Sequence, residues 1–554
     1  MHQSSPPELG EAYARYALAR MIDFFASEDT PWARRLWDVG SVLALEELWE
    51  AGAWQARGVL SSAACDWQRA ELRVIIGPDR GLGERELRRE ITDLLAKPLA
   101  ESSSPRRRLR EILEHARVGY LERWAAAVHL PDRPGPERFS RTVAAHLLDL
   151  GYSAPHLLAW AKRLATGPVD PPGITESAAD LARAGQKSFD VLVALADTPQ
   201  RRLAASLPNW LPKDQVIAWL QRQGHDTSGV RSGGGFLYCF HALDPYRAAE
   251  QARQMVERMV ARSSFLRPSQ GRITPLPHVW VAGHQSTIPL HPPARGADVL
   301  SLVGERHLYR VEGPLSRTDE ALELAAPLNQ GPLGPAVAGA WAAVESLLCH
   351  PHDVQEGERS GKAVAADRLA AIIACSWPRA ELTALAHRHK PQEPDDLAKR
   401  VAVCTTNRER GRCVAEALLA SGSSALDFSG ARTRYSDGPA ARRMVALLVD
   451  PRRVLGEVMG TCRITLRRLY RTRNIVLHGG ATQGVALQAA LRTAAPLVGA
   501  GLDRIVHADQ TERLAPLDLA ARAEVALRLV GGETGLSVVD LLEPVLEGGQ
   551  VSIR

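Results

Sequence analysis

Apolar residues recur with the helical period along most of the last two fifths of the chain, and this pattern constrains the fold more than any other feature. Seven segments carry such a stripe, and short loops separate them. Long amphipathic helices joined by short loops are typical of an up-down bundle, so we predict a helical bundle over 331–554. The predicted helices are 335–349, 362–388, 394–420, 439–449, 452–478, 483–507 and 516–530.

The first part of the chain, residues 1–226, also has a helical pattern. Apolar stripes run, for example, from Val42 to Trp54 and from Arg141 to Leu164. Nine of the twelve tryptophans lie in this part. Tryptophan at helical spacing is typical of core packing, because its large ring gains most from burial. We therefore predict a tryptophan-rich helical domain over 1–226.

Between these two parts the residue pattern changes. A glycine-rich turn leads into an aromatic run from Phe236 to Phe240 that indicates a strand, and a helix is predicted from about Pro245 to Val260. We interpret residues 227–330 as a small α+β module. The chain as a whole is predicted to be mainly α. Further strands are predicted at 278–282, 299–303 and 307–311.

Length and composition place the chain among large globular proteins. At 554 residues it is long enough for about three to four domains, and 45% hydrophobic with 24% charged residues is ordinary for that class. The sequence has no run of 18 apolar residues and no basic start followed by an apolar core. We therefore expect a cytoplasmic protein without a membrane span.

The seven cysteines are scattered and include no C-x-x-C pair. The spacing of Cys404 and Cys413 fits no zinc template. We interpret the cysteines as reduced and mostly buried thiols. No metal site and no cofactor are predicted.

The fifth predicted helix of the bundle ends in residues that suit acid–base chemistry. Arg473, Asn474 and His478 are followed at once by Gly479 and Gly480. The glycines supply a helix C-cap signal. The histidine is the only group at this helix end that titrates near neutrality, and the arginine can form paired hydrogen bonds to a phosphate.

Arginine and histidine also occur at this spacing elsewhere, in Arg110 with His115 and in Arg141 with His146. Neither pair has asparagine after the arginine or glycines after the histidine. We interpret both as exposed helix side chains. For the pair at the end of the fifth helix, the plain alternative is a histidine favoured by the helix dipole beside solvated arginines.

The segment YRTRNIVLHGG resembles the R-x4-6-H signature of HEPN domains, in its R-N-x-x-x-H form. Upstream, Gly339 to Cys349 and Gly361 to Leu382 are similar to the opening helices of Apea-like HEPN domains of bacterial defence proteins. The resemblance covers roughly residues 331–530. It implies a HEPN-type helical bundle.

The resemblance also implies a function. In HEPN ribonucleases the arginine and the histidine are catalytic, which implies Arg473 and His478 here, with Asn474 in support. It implies metal-independent RNA cleavage that leaves a 2′,3′-cyclic phosphate or 3′-phosphate and a 5′-hydroxyl. It further suggests a regulated effector of anti-phage defence, in which the N-terminal part detects an unknown phage or cellular trigger. Two motifs meet across a two-fold axis in such families.

The charge near this helix favours a polyanionic partner. Eleven arginines stand against three acidic residues between Ala431 and Gly480, an excess of eight positive charges. Such a concentration is typical of nucleic-acid contact, although a charge run can also be a solvated face. RNA is therefore the expected partner. The arginines predicted to bind RNA are Arg463, Arg467, Arg468 and Arg471.

One motif by itself is poorly equipped for the reaction. Cleavage needs removal of the 2′-hydroxyl proton, stabilisation of the phosphorane charge and protonation of the leaving oxygen. Positions five residues apart differ by about 140° around a helix, so Arg473 and His478 do not point along one line. One imidazole also does not easily serve as base and acid in one pass. A homodimer is the economical solution.

Two other functions remain open. The bundle could be a non-catalytic HEPN module that docks RNA or forms a dimer, which a blocked site would favour. The chain could also be a subunit of an RNA-guided complex, since type VI CRISPR effectors use the same motif, although in two copies per chain. Glu345 is a candidate polar neighbour of the site, with an ion pair as the alternative reading.

Overall fold

The chain is mainly helical in the computed structural model, with 65% helix and 6% strand. The predicted mainly α class is therefore confirmed. The strands of the described residues form a small antiparallel sheet. The structure describes residues 7–26, 30–130, 132–291, 293–311, 315–353, 362–430, 435–481, 484–532 and 535–544.

The described part before the sheet is entirely helical. Trp124, Phe139 and Trp160 are buried in its core, as predicted for tryptophan at helical spacing. Ser103 and Ser153 each start a helix by accepting a backbone N–H of its first turn. The helices are α1 Pro7–Phe25, α2 Ser41–Ala56, α3 Ser62–Ile76, α4 Arg85–Leu95, α5 Ser104–Arg117, α6 Tyr120–Val128, α7 Pro136–Asp149, α8 Ala154–Ala165 and α9 Pro171–Arg183.

The sheet begins well before the predicted module boundary near residue 227. Its strands are β1 Lys187–Asp197, β2 Trp210–Pro212, β3 Gly234–Ala242, β4 Thr274–Val281 and β5 Ile288–Pro289. They lie in the order β2-β3-β1-β4-β5, with antiparallel neighbours. Val191 to Leu195 in β1 are all buried, so the alternation that marks a half-buried strand is missing. The prediction of helical structure up to residue 226 is wrong for this segment.

Within the predicted α+β module, three of the sequence predictions are confirmed and two are wrong. The aromatic run forms β3, the helix after it is present, and β4 covers most of 278–282. Residues 299–303 and 307–311 form no strand, because Val303 and Val311 face solvent, 67% and 77% exposed. Two helices, α10 Arg201–Ala205 and α11 Lys213–Arg222, lie between β1 and β3, before the module. The helices within it are α12 Pro245–Ser263 and α13 Ser301–Gly304.

The C-terminal part contains the predicted long helices. The helix predicted over 394–420 is two helices, because Thr406 and Glu409 form a reciprocal capping box that starts the second one. The other boundaries agree within a few residues. The helices are α14 Arg317–Ala325, α15 Pro327–Gln330, α16 Leu333–Leu348, α17 Val364–Arg388, α18 Asp396–Val403, α19 Asn407–Ser421, α20 Asp437–Val449, α21 Pro451–Gly479, α22 Leu487–His507 and α23 Pro516–Leu529.

Helix α17 is the central helix of this part. By length and composition it could cross a membrane. The sequence pattern predicts that no segment is long and apolar enough to do so. However, 78% of that window is buried inside the protein, and the core helix of a folded domain passes the same test. Its contacts with α16, α19, α21 and α23 account for the apolar composition.

The N-terminal helices and the C-terminal helices share buried structure. Ala33 and Trp37, which lie between α1 and α2, belong to the apolar core of the C-terminal part. Arg34 between them is 1% exposed and forms ion pairs with Glu381 at 2.6 Å and Asp437 at 2.7 Å. Because these charges are buried, separating the two parts would leave them without partners.

Candidate active site

Helix α21 carries every residue that the sequence assigns to catalysis or RNA contact. Asp450 caps its first turn by accepting the N–H of Arg453 at 3.2 Å. The helix ends at Gly479, and Gly480 adopts a left-handed φ of 65°, which glycine takes without strain. The N–H of Gly480 donates to the carbonyl of Ile475. The predicted glycine C-cap is confirmed.

Arg473, Asn474 and His478 meet at this helix end. Nη1 of Arg473 donates to Oδ1 of Asn474 at 3.0 Å and lies 3.4 Å from Nε2 of His478. Positions five residues apart diverge by about 140° around a helix. The long arginine side chain spans this divergence, so the guanidinium reaches the imidazole within one chain.

The three side chains differ in their access to solvent. His478 is exposed, Arg473 is half-buried and Asn474 is 8% exposed. Nε of Arg473 is buried without a hydrogen-bond partner among the described residues. A phosphate at this helix end could accept hydrogen bonds from the guanidinium while the neighbouring imidazole exchanges a proton. The exposed imidazole also means that no described part of the chain covers it.

Three of the four arginines predicted to bind RNA are ion-paired within the fold. Arg468 and Arg471 are each 3% exposed, and Arg467 is half-buried. The pairs are Arg467 with Glu71 (3.2 Å) and Asp367 (3.0 Å), Arg468 with Glu47 (2.8 Å), and Arg471 with Glu71 (3.4 Å) and Glu47 (3.7 Å). This placement differs from the exposed basic face that the sequence predicts.

The reason lies in carboxylates that are distant in sequence. Glu47 and Glu71 come from α2 and α3, about four hundred residues before α21, so no local window reveals them. Burial acts to lower the pKa of Arg468, but the carboxylates of Glu47, Glu71 and Asp149 together outweigh burial and hold that pKa above its usual value. The fourth arginine, Arg463, is half-buried, and its Nε has no partner among the described residues.

Sequence reasoning missed that the end of α2 borders the site. A Cβ added at Gly479 would lie 2.8 Å from Cζ3 of Trp54, so the backbone next to His478 contacts the indole directly. Glu50, one turn earlier on α2, accepts the N–H of Val485 at 3.3 Å. The tryptophan-rich composition was the only available signal, and it indicated core packing instead.

The two other arginine–histidine pairs serve different purposes. Arg110 and His115 are exposed on α5, as the sequence predicts. Arg141 and His146 are not exposed, which corrects that interpretation. Arg141 on α7 forms ion pairs with Asp38 and Glu137. His146 is 4% exposed and stacks on Tyr120, with ring centroids 4.2 Å apart.

The remaining candidate groups have structural surroundings. Glu345 pairs with Lys362 at 2.5 Å and accepts the indole N–H of Trp341 at 3.0 Å, so the ion-pair alternative is confirmed. Among the described residues, no group of three histidine, cysteine or acidic side chains could hold a metal ion. Only three of the seven cysteines are buried, fewer than predicted. They are Cys65, Cys375 and Cys462.

No protein-family model, curated protein or solved structure matches the chain. The resemblance to HEPN domains consequently depends on the quoted residues alone. The functional argument therefore starts from the contact between Arg473 and His478, from the exposure of the imidazole and from the α2 residues beside them.

Proposed function

We propose that the protein is a metal-independent endoribonuclease of HEPN type, with Arg473 and His478 as catalytic residues and Asn474 in support. The observation that supports this most is the distance of 3.4 Å between Nη1 of Arg473 and Nε2 of His478 at an open helix end. A phosphate-binding group and a proton-transfer group at this distance suit a reaction at phosphorus.

The proposed reaction uses the nucleophile that RNA already carries. The 2′-oxygen loses its proton and bonds to phosphorus, and the bond from phosphorus to the 5′-oxygen breaks as that oxygen gains a proton. Arg473 stabilises the charge on the phosphorane oxygens, and His478 transfers a proton as general acid or base. DNA lacks the 2′-hydroxyl, so the site selects RNA without reading a base.

A homodimer is part of the proposal. One imidazole per chain leaves either the base or the acid unassigned, and a second copy of the site across a two-fold axis would supply it. The exposed position of His478 leaves it accessible to a second chain. The same exposure argues against the alternative of a blocked, non-catalytic module. Nothing in the described residues favours an RNA-guided subunit.

We also propose that the enzyme is a cytoplasmic, regulated effector of anti-phage defence. A ribonuclease that acts on host RNA must be restrained until it is needed. A restraint of this kind is a population shift, in which the trigger binds the active state more tightly than the inactive one. Because α2 and α3 hold α21 by ion pairs, a trigger bound to the N-terminal helices could act on the site through them.

The test of the proposed chemistry is the structure of the RNA ends. Purified full-length protein is incubated with total cellular RNA, and the fragments are analysed for a 2′,3′-cyclic phosphate or 3′-phosphate and a 5′-hydroxyl. A single 2′-deoxy nucleotide at a mapped cleavage position should abolish cutting there, because it removes the nucleophile. Cleavage that persists at the deoxy position, or 5′-phosphate ends, would exclude this mechanism.

A further inference from the structure

Arg57 places a free guanidinium beside the candidate active site. Its Cζ lies over the Trp54 ring, 5.1 Å from the centroid, and that ring contacts Gly479. The Arg57 side chain is exposed and has no hydrogen-bond or ion-pair partner among the described residues. It therefore differs from Arg468 and Arg471, whose charges are neutralised by buried carboxylates.

The backbone at Arg57 is fixed by the turn that ends α2. The N–H of Val59 donates to the carbonyl of Trp54 at 2.9 Å, and the N–H of Gly58 donates to that of Gln55 at 3.0 Å. Gly58 has a left-handed φ of 72°. These are the two hydrogen bonds of a Schellman C-cap. The turn keeps Arg57 next to the indole while its guanidinium faces solvent.

We propose that Arg57 stacks on the base of the nucleotide next to the scissile phosphate and thereby positions the strand at Arg473 and His478. This inference rests on the proposed ribonuclease function. A guanidinium is planar and stacks on nucleobases, and its contact with Trp54 restricts its motion before RNA binds. Arg57 is a positioning residue, because it lies beside the ring that contacts Gly479 and not at the reacting atoms.

The stacking role also defines the form of the substrate. A base within a duplex is already stacked on both faces, whereas an unpaired base can be splayed out onto a protein side chain. The nucleotide at Arg57 is therefore unpaired. Stacking tolerates every base, because each has a π-face, so Arg57 should favour unpaired RNA without imposing a sequence.

The test uses the full-length protein and a short RNA with one mapped cleavage position. KM and kcat are measured for wild type, Arg57→Ala and Arg57→Lys, with Arg110→Ala as the matched control. Arg110 is also exposed and lies over a tryptophan, Trp49, at 5.5 Å, but on α5. Arg57→Ala should raise KM about tenfold with kcat unchanged. Arg57→Lys should not restore KM, since lysine keeps the charge but lacks the plane, and Arg110→Ala should match wild type.

A second readout isolates the base. An abasic nucleotide is placed, in turn, on either side of the scissile phosphate. At one position wild type should lose about the factor that Arg57→Ala loses on intact RNA, and Arg57→Ala should lose nothing more on the abasic RNA. This non-additivity is specific to a contact between that side chain and that base.

Several outcomes would overturn the inference while leaving the ribonuclease intact. They are histidine-dependent cleavage with an unchanged KM in Arg57→Ala, wild-type KM in Arg57→Lys, and losses that add between Arg57→Ala and the abasic RNA. A different outcome separates the two proposals. If wild type cleaves no RNA, or if His478→Ala cleaves as fast as wild type, the proposed function fails, and the inference about Arg57 fails with it.

Discussion

At the scale of single residues, the surroundings of each arginine on α21 determine its role. Arg468 is buried against Glu47, so its charge joins α21 to α2. Arg473 lies five residues later and contacts Asn474 and His478, with no ion pair to a carboxylate among the described residues. A sequence window counts both arginines as equal positive charges. The sequence therefore locates the motif and its helix end, but it does not reveal which arginines are available to a ligand.

Arg468→Ala should destabilise the fold strongly. It leaves the Glu47 carboxylate, whose side chain is 7% exposed, without its main partner. Breaking a buried pair in this way costs about 3–5 kcal/mol, measured as the free energy of unfolding in denaturant. Arg453→Ala is the control. Arg453 lies on the same helix, but its side chain is 55% exposed in its ion pairs with Asp450 and Glu457, and such exposed pairs contribute little to stability. Equal losses in the two variants would contradict the structural role of Arg468.

His146 should make the fold sensitive to mild acid. Burial, with a smaller contribution from Arg123, lowers the pKa of His146 from 6.5 to about 4. The unfolded chain thus binds a proton that the folded chain does not bind between these two pH values. The neutral imidazole therefore contributes fully to the free energy of unfolding above about pH 6.5. This contribution falls by about 3 kcal/mol as the pH falls to about 4. The measurement is the thermal midpoint against pH for wild type and His146→Phe, which keeps a ring on Tyr120. Parallel curves for the two proteins would contradict this account.

At the scale of secondary structure elements, periodicity predicts the helices well and the sheet poorly. The helices predicted in the C-terminal part begin and end within a few residues of their predicted limits, except that the segment 394–420 forms two helices. Their limits are predictable because apolar residues recur with the helical period along most of this part. The sequence does not predict β1 because both faces of this strand are buried. A short apolar run is equally compatible with a buried strand and with a buried helix. The meeting of the ends of α2 and α21 depends on tertiary packing, which no local pattern encodes.

Gly479→Ala should destabilise the contact between these two helix ends. The new Cβ would lie 2.8 Å from Cζ3 of Trp54. The rigid indole ring can relieve this contact only if the whole side chain or the helix end shifts, so overpacking costs about 1–3 kcal/mol. Gly456→Ala is the control on the same helix. A Cβ at Gly456 meets nothing within 4 Å, so alanine there should stabilise the helix by about 1 kcal/mol. The free energy of unfolding should change in opposite directions, and a gain in both variants would show that Trp54 does not contact Gly479.

At the scale of the whole molecule, the N-terminal helices help to build the candidate site. α2 and α3 supply the carboxylates that hold α21, and Trp37 lies in the core of the C-terminal part. The C-terminal part by itself would therefore lose core contacts and leave buried arginines unpaired. The three parts are therefore successive stretches of the sequence that share a core, and they are not independent folding units.

The homodimer has a test at this scale. His478→Ala and Arg473→Ala proteins, each inactive alone, are mixed and assayed for RNA cleavage. If the site is composite, the mixture should recover part of the activity, because each chain contributes the group that the other lacks. Light scattering at the assay concentration is the accompanying measurement. A strictly monomeric protein that cleaves RNA at the full rate would exclude the composite site.

The central claim, that the end of α21 cleaves RNA, is tested most directly by the cleavage rate of single variants. His478→Ala and Arg473→Ala should each lower the rate at least about a hundredfold with the fold intact, and a chelator should change the wild-type rate little. Arg110→Ala and His115→Ala are the controls, because that exposed pair has the same spacing on α5. Their rates should equal that of wild type. A full rate in His478→Ala, or complete loss of wild-type cleavage with chelator, would contradict the account.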